Sequence, residues 1–302
     1  MVTGGAGFIG YYVSRCLVDR GFDVLVFDSF ERSFKKPEDL RKIGVGISKG
    51  NVKSFTDVFE TLKTFNVEVV VHLAAYISAP ESVRKPLSYF RNNALGTAVV
   101  AEACRRVGVG KVVYASSAAV YGEPKYLPID EGHPTEPLSP YGLSKLVGEL
   151  ILRQYARNYG LKVTVLRLFN VYGSGQNPAY AGVISRFIER AIAGKPLIIY
   201  GDGLQTRDFV HVEDVAEAFY KAIVSDVTGV FNVGSGKPTR IIDLVAIVRE
   251  VAGGNVRVKF APPRKGDIRH SYASIEKARR ELRWEPRRRL KEELRKMLSL
   301  TK

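Results

Sequence analysis

The chain has 302 residues, 45% of them hydrophobic, with a formal charge of +15 and a sequence pI near 9.7. That is enough apolar material for one large or two interleaved cores, and no apolar run reaches the ~18 residues of a membrane span. The opening "MVTGGAGFIG" lacks the basic and apolar regions of a secretion signal, so the expected location is the cytoplasm.

In chain order, the first element is a very short strand running into "VTGGAGFIG", where Gly4, Gly7 and Gly10 are spaced G-x-x-G-x-x-G ahead of a helix. Glycines at these places permit a tight turn and let the backbone approach a pyrophosphate at the helix start. The next strand, "DVLVFD", ends on Asp28, placed to accept hydrogen bonds from adenosine ribose hydroxyls. A carboxylate there repels the extra phosphate of NADP and favours NAD, while Arg32 nearby works against that preference. A third strand precedes "GNVKS", whose Asn51 and Val52 lie either near an adenine or in a plain turn.

"VEVVVHLAA" then brings small residues to a strand's carboxyl end, where an open α/β sheet binds its ligand. His72 in that strand reads as a satisfied core residue, and the four histidines show no metal spacing, so no metal is expected. Cys16 and Cys104 sit apart in apolar helical patterns and read as reduced, packed thiols. "KVVYASS" ends another strand on Ser116 and Ser117, residues that by themselves are usually turn-formers. "SPYGLSK" follows, placing Tyr141 and Lys145 four positions apart at the start of a helix, so that phenol and ammonium can converge on one ligand. Such a pair is common in isolation. Its meaning comes from the order: glycine loop, acidic strand end, serine strand end, then the pair.

With "KVTVLRLF" at 162–169, the first part alternates continuous apolar strands with helices, which predicts an α/β chain with a Rossmann-type doubly wound parallel sheet. Beyond residue 170 the pattern loosens into Gly- and Pro-punctuated loops, with two further helices near 212–224 and 240–252, and reads as a smaller C-terminal substrate-binding subdomain. The basic run "RRELRWEPRRRLKEELRK" at 279–296 is interleaved with glutamates at helical spacing and predicts one exposed, salt-bridged helix rather than a phosphate-tracking stripe.

The ordered tracts "TGGAGFIG", "HLAA", "ESVRKPL", "NNALGT", "SSAAVYG", "PYGLSK", "RLFNVYG", "RDFVHVEDVA", "FNVGSG" and "RKGD" together resemble the nucleotide-sugar 4-epimerases of the extended short-chain dehydrogenase/reductase superfamily. The resemblance runs from end to end. It implies interconversion of UDP-glucose and UDP-galactose through a 4-keto intermediate. Tyr141 is then the acid/base, Lys145 binds the nicotinamide ribose and lowers the tyrosine's pKa, and Ser117 hydrogen-bonds the sugar 4-hydroxyl. Gly4, Gly7, Phe8, Ile9, Asp28, Asn51, Val52, Leu73, Ala74, Ala75, Asn92 and Phe169 contact NAD, together with Tyr141 and Lys145. Asn170, Arg207 and Arg264 hold the sugar nucleotide with both arginines toward the diphosphate, Asp267 lies beside the nucleotide ribose, and Ser271 beside the sugar C2 substituent. A small residue at that last position leaves room for N-acetylated hexosamines.

The family division places NAD on residues 1–169 plus about 208–232, and the sugar nucleotide on about 170–207 plus 233–302. The apolar stripes Leu143, Leu146, Val147, Leu150, Ile151, Tyr155 and Leu95, Ala98, Val99 imply a homodimer through a four-helix contact. Two departures stand out: a first strand shorter than the family's, which leaves the true start codon open, and Asn51 where the family has aspartate. Ala118 and Ala119 occupy places where related dehydratases and decarboxylases carry an acidic residue, which disfavours those reactions. The rival readings are an NAD(P)H-dependent ketosugar reductase and a non-catalytic nucleotide- or RNA-binding member of the fold, the latter prompted by the charge.

Overall fold

The computed structural model describes residues 1–254, 256–264 and 266–299; Lys265 of the "RKGD" tract lies outside them. Seven strands form the central parallel sheet: β1 (Val2–Thr3), β2 (Leu25–Asp28), β3 (Gly46–Lys49), β4 (Val69–His72), β5 (Lys111–Ser117), β6 (Lys162–Leu168) and the late strand Gly229–Val233. Their spatial order is late strand, β6, β5, β4, β1, β2, β3. The connections therefore run one way from β1 to β3 and the other way from β4 onward. A crevice opens at the carboxyl ends where the two directions part, and open α/β sheets bind ligands in that crevice.

Every residue of β5 except Ser117 is buried, as continuous apolar strands covered on both faces must be. On one face Val13 and Phe219, from the helices Phe8–Val18 and Val212–Val224, join Val26, Val113 and Leu166 of the sheet in a single cluster. On the other, Val58, Val100 and Leu152 from the helices Phe55–Thr64, Gly96–Val107 and Pro140–Tyr159 cover Val70 and Val112. No helix among the described residues is long and apolar enough to cross a membrane.

The helices expected near 212–224 and 240–252 form as Val212–Val224 and Ile241–Val251. The stretch read as loops after residue 170 holds more structure than that reading gave it. Strand Asn170–Tyr172 pairs with Thr206–His211, strand Leu197–Tyr200 pairs with Val258–Ala261, and helix Val183–Ile192 connects Asn170–Tyr172 to Leu197–Tyr200 along the chain. These strands have three to six residues and partners distant in sequence, so they leave little local pattern. Ile184, Phe187 and Ile188 of the helix bury against Leu244, Val248 and Leu294 in a third core; the elements around it are called the cap.

The basic run at 279–296 is not one exposed helix. The chain breaks at Arg283 (φ 50°), buries Trp284 to 2% exposure and donates its indole N–H to the Asp214 carbonyl at 2.9 Å. A new helix, Leu290–Ser299, then buries Leu294 and Leu298. A tryptophan seeking a buried partner and Pro286 both oppose an unbroken helix here, although Arg to Glu pairs form along the run at Arg280–Glu281 and Arg289–Glu292.

Candidate active site

β1 ends at a turn on Gly4, whose φ of +69° and close packing leave no room for a side chain: a Cβ would lie 2.8 Å from the Ala74 backbone. The chain then enters the 11-residue helix Phe8–Val18 at Gly7, with no side chain capping its N-terminal N–H groups. An uncapped helix start behind a glycine turn is a cradle for a phosphate. At the end of β2, Asp28 accepts the Ala6 N–H at 3.0 Å and the Phe30 N–H at 2.9 Å; burial pushes its pKa up and these donors oppose the rise. Arg32 is turned away to Glu81, donating two bonds of 2.9 and 3.2 Å with its guanidinium 3.8 Å from the Tyr76 ring centre. It is therefore committed to Glu81 and Tyr76.

These groups open onto one cleft of about 480 Å³. Gly4, Gly7, Phe8, Ile9 and Asp28 line it, followed by Asn51 and Val52, then Leu73, Ala74 and Ala75 after β4. Asn51 spends its side-chain oxygen on the Lys53 N–H at 3.0 Å. A wide turn at Phe90–Leu95 brings Asn92 to the wall, while Asn93 ties Tyr76 to Ser144. Phe169 and Asn170 complete the side toward the cap.

The catalytic candidates meet in the same cleft. Ser139 caps the helix Pro140–Tyr159 by accepting the Gly142 N–H at 3.1 Å, and Pro140 fits the first turn. Gly148 lets this helix lie hard against β5, since a Cβ there would sit 2.4 Å from the Tyr114 hydroxyl. Lys145 is 3% exposed and donates to the Ala115 carbonyl at 2.7 Å. Burial pushes its amine down to about 7, with Glu149 opposing. Burial also pushes the Tyr141 phenol up, and the lowering contribution comes from a hydrogen bond with Ser117. The help expected from Lys145 is not what acts here, because its ammonium is turned to a backbone carbonyl. His72 is a core residue between the Thr3 and Thr97 hydroxyls (2.7 and 3.1 Å), kept neutral by burial that takes its pKa to about 3.

Four expected substrate contacts lie outside the cleft lining, on the cap. Arg207 is ion-paired with Asp267, so the structure brings those two together. Arg264 stacks 3.7 Å from the Tyr200 ring centre, and the Ser271 N–H donates to the Thr206 carbonyl at 3.3 Å. Conversely, Tyr172, Tyr180, Ile184 and Phe209 line the cap side without having been singled out in the sequence. The tyrosines of "NVYGSGQNPAYAG", bracketed by glycines, were the available signal.

A doubly wound parallel sheet with a glycine turn, an acidic second strand and a Ser, Tyr and Lys set at the switch point defines a nicotinamide-dependent enzyme of the short-chain dehydrogenase/reductase type. The chain belongs to the NAD dependent epimerase/dehydratase family, whose model matches residues 1–234, and its cofactor is NAD. It is similar over 99% of its length to the UDP-glucose 4-epimerase of Thermotoga maritima solved with UDP-glucose (37% identical, TM-score 0.95, 97% of that chain). The UDP-N-acetylglucosamine 4-epimerase of Methanobrevibacter ruminantium, solved with UDP-N-acetylmuramic acid, is 36% identical with TM-score 0.93 over 99% of this chain and 96% of that one. The Thermus thermophilus UDP-glucose 4-epimerase solved with NAD is 38% identical with TM-score 0.91 over 99% and 97%.

Proposed function

We propose that the enzyme interconverts UDP-glucose and UDP-galactose at C4. The observation that carries this reading is the convergence of Ser117, Tyr141 and Lys145 in the same cleft as the glycine turn and Asp28. Tyr141 takes the proton of the sugar 4-hydroxyl, which Ser117 orients, and returns it to the same oxygen after the 4-keto sugar has turned over to present its other face. Lys145 holds the nicotinamide ribose, and the hydrogen bond with Ser117 is what lowers the phenol's pKa. Bound NAD supplies the hydride acceptor and donor at C4. The residues for it are those of the glycine turn, Asp28, Asn51, Val52, Leu73 to Ala75, Asn92 and Phe169.

Asn170, Arg207 and Arg264 hold the sugar nucleotide in this reading, with Asp267 at its ribose. Ser271 leaves space beside C2, so UDP-N-acetylglucosamine is tolerated as well; the similarity to an enzyme named for that substrate supports this. The NAD-binding part is residues 1–169 plus about 208–232, and the remainder receives the sugar nucleotide. Leu95, Leu143 and Leu150, between 41% and 51% exposed on two neighbouring helices, support a homodimer across that face, and the enzyme works in the cytoplasm. Purified protein given UDP-galactose without added cofactor should form UDP-glucose. No turnover even with NAD added would overturn the reading.

A further inference from the structure

The helix Pro140–Tyr159 carries Tyr141, Lys145 and Glu149 at four-residue intervals, on one stripe. Each meets one of the last three residues of β5. Tyr141 hydrogen-bonds Ser117, Lys145 donates to the Ala115 carbonyl at 2.7 Å, and the Ser116 hydroxyl donates to Glu149. From β6, Arg167 clamps the same carboxylate through Nε at 3.0 Å and Nη2 at 2.7 Å. The two side chains of this pair are 7% and 6% exposed, so water screens them little. The reaction as written above gives the pair no part.

We propose that Glu149 is a positioning residue of that reaction: its carboxylate fixes the strand end that presents Ser117 and supplies the buried negative charge facing Lys145. The proposal rests on Tyr141 and Lys145 being the acting pair. The groups around Lys145 are Tyr141 and Glu149 on its own helix, Tyr114 of β5 with its ring centre 4.9 Å from the ammonium, and neutral His72 of β4. Arg167 of β6 stands behind the carboxylate. Burial works against the ammonium, and Glu149 is the group that opposes it. A carboxylate that served only to pair Arg167 would have no bearing on Lys145.

The test is the titration of Lys145 by ¹⁵N NMR in NAD-loaded, lysine-labelled protein, with its resonance identified by its loss in Lys145→Met. Glu149→Gln should lower the midpoint by about 1 pH unit or more, the scale of a nearby opposite charge, and Glu149→Asp should restore it. The alkaline limb of kcat against pH should move the same way while KM changes little. Because Glu149→Gln strands the Arg167 guanidinium, Glu149→Gln/Arg167→Met removes the pair as a unit if the single variant fails to fold; its midpoint should still fall. An unchanged midpoint in either folded variant, with only the melting temperature lowered, overturns the proposal. The NMR readout needs no sugar nucleotide, so a shifted midpoint in a protein that epimerises nothing would instead count against the functional reading.

Discussion

The sheet that forms the cleft and the cap beyond it are built on different terms. On the sheet side Lys145 is 3% exposed, tied to β5, and backed by a buried ion pair. On the cap side the Arg207 side chain is 16% exposed and its partner Asp267 is 36% exposed, while Arg264 lies at the surface. Groups locked by a core hold one geometry and lose little freedom when substrate arrives, which suits proton transfer. Groups on a more open cap can be re-paired or resized, which suits recognition. Chemistry should therefore fail on the sheet side, and affinity or selectivity on the cap side.

The largest effect expected is on the sheet side. Tyr141→Phe keeps the ring but removes the proton carrier, and kcat should fall by a factor of roughly 100 or more with little change in KM. Near-normal kcat in a folded variant would break the comparison at its strongest point. On the cap, Arg207→Ala removes a charged donor proposed to face the diphosphate, so KM should rise about 10- to 100-fold while kcat stays within a few-fold. A loss confined to kcat would mean that the cap shares in the chemistry.

A smaller and selective change should follow Ser271→Tyr. Turnover of UDP-N-acetylglucosamine should drop about tenfold or more relative to UDP-galactose, since filling a pocket rejects the larger group. Competition between the two substrates measures this ratio directly, and equal losses on both would place Ser271 away from the C2 substituent. The smallest effect concerns stability. Burial lowers Lys145 from 10.5 to about 7, so between those values the unfolded chain holds the proton more tightly. The folded state therefore gains stability as pH rises above about 7, and at pH 6 the buried ammonium carries its full cost. Lys145→Met should raise the melting temperature over the parent more at pH 6 than at pH 9, as calorimetry at the two values would show.

The same contrast runs through what the sequence made legible. "TGGAGFIG", "HLAA" and "PYGLSK" stand at strand ends and helix starts, where local chemistry dictates conformation, and the structure brings their residues into one cleft. The cap was less legible because its order comes from distant pairings, such as Leu197–Tyr200 with Val258–Ala261. Trp284 breaks an apparently continuous charged helix through a contact with Asp214, 70 positions earlier in the chain. Arg32 reads as a threat to NAD selectivity until its tie to Glu81 is seen, and no local pattern announces that tie.

The most direct test of internal hydride return uses UDP-galactose carrying deuterium at C4, purified protein and no added cofactor, with unlabelled NADH present in a parallel reaction. C4 epimerisation predicts UDP-glucose with the deuterium retained at C4 in both reactions. Loss of the label, product dilution by the added NADH, or a net reduced sugar would contradict it.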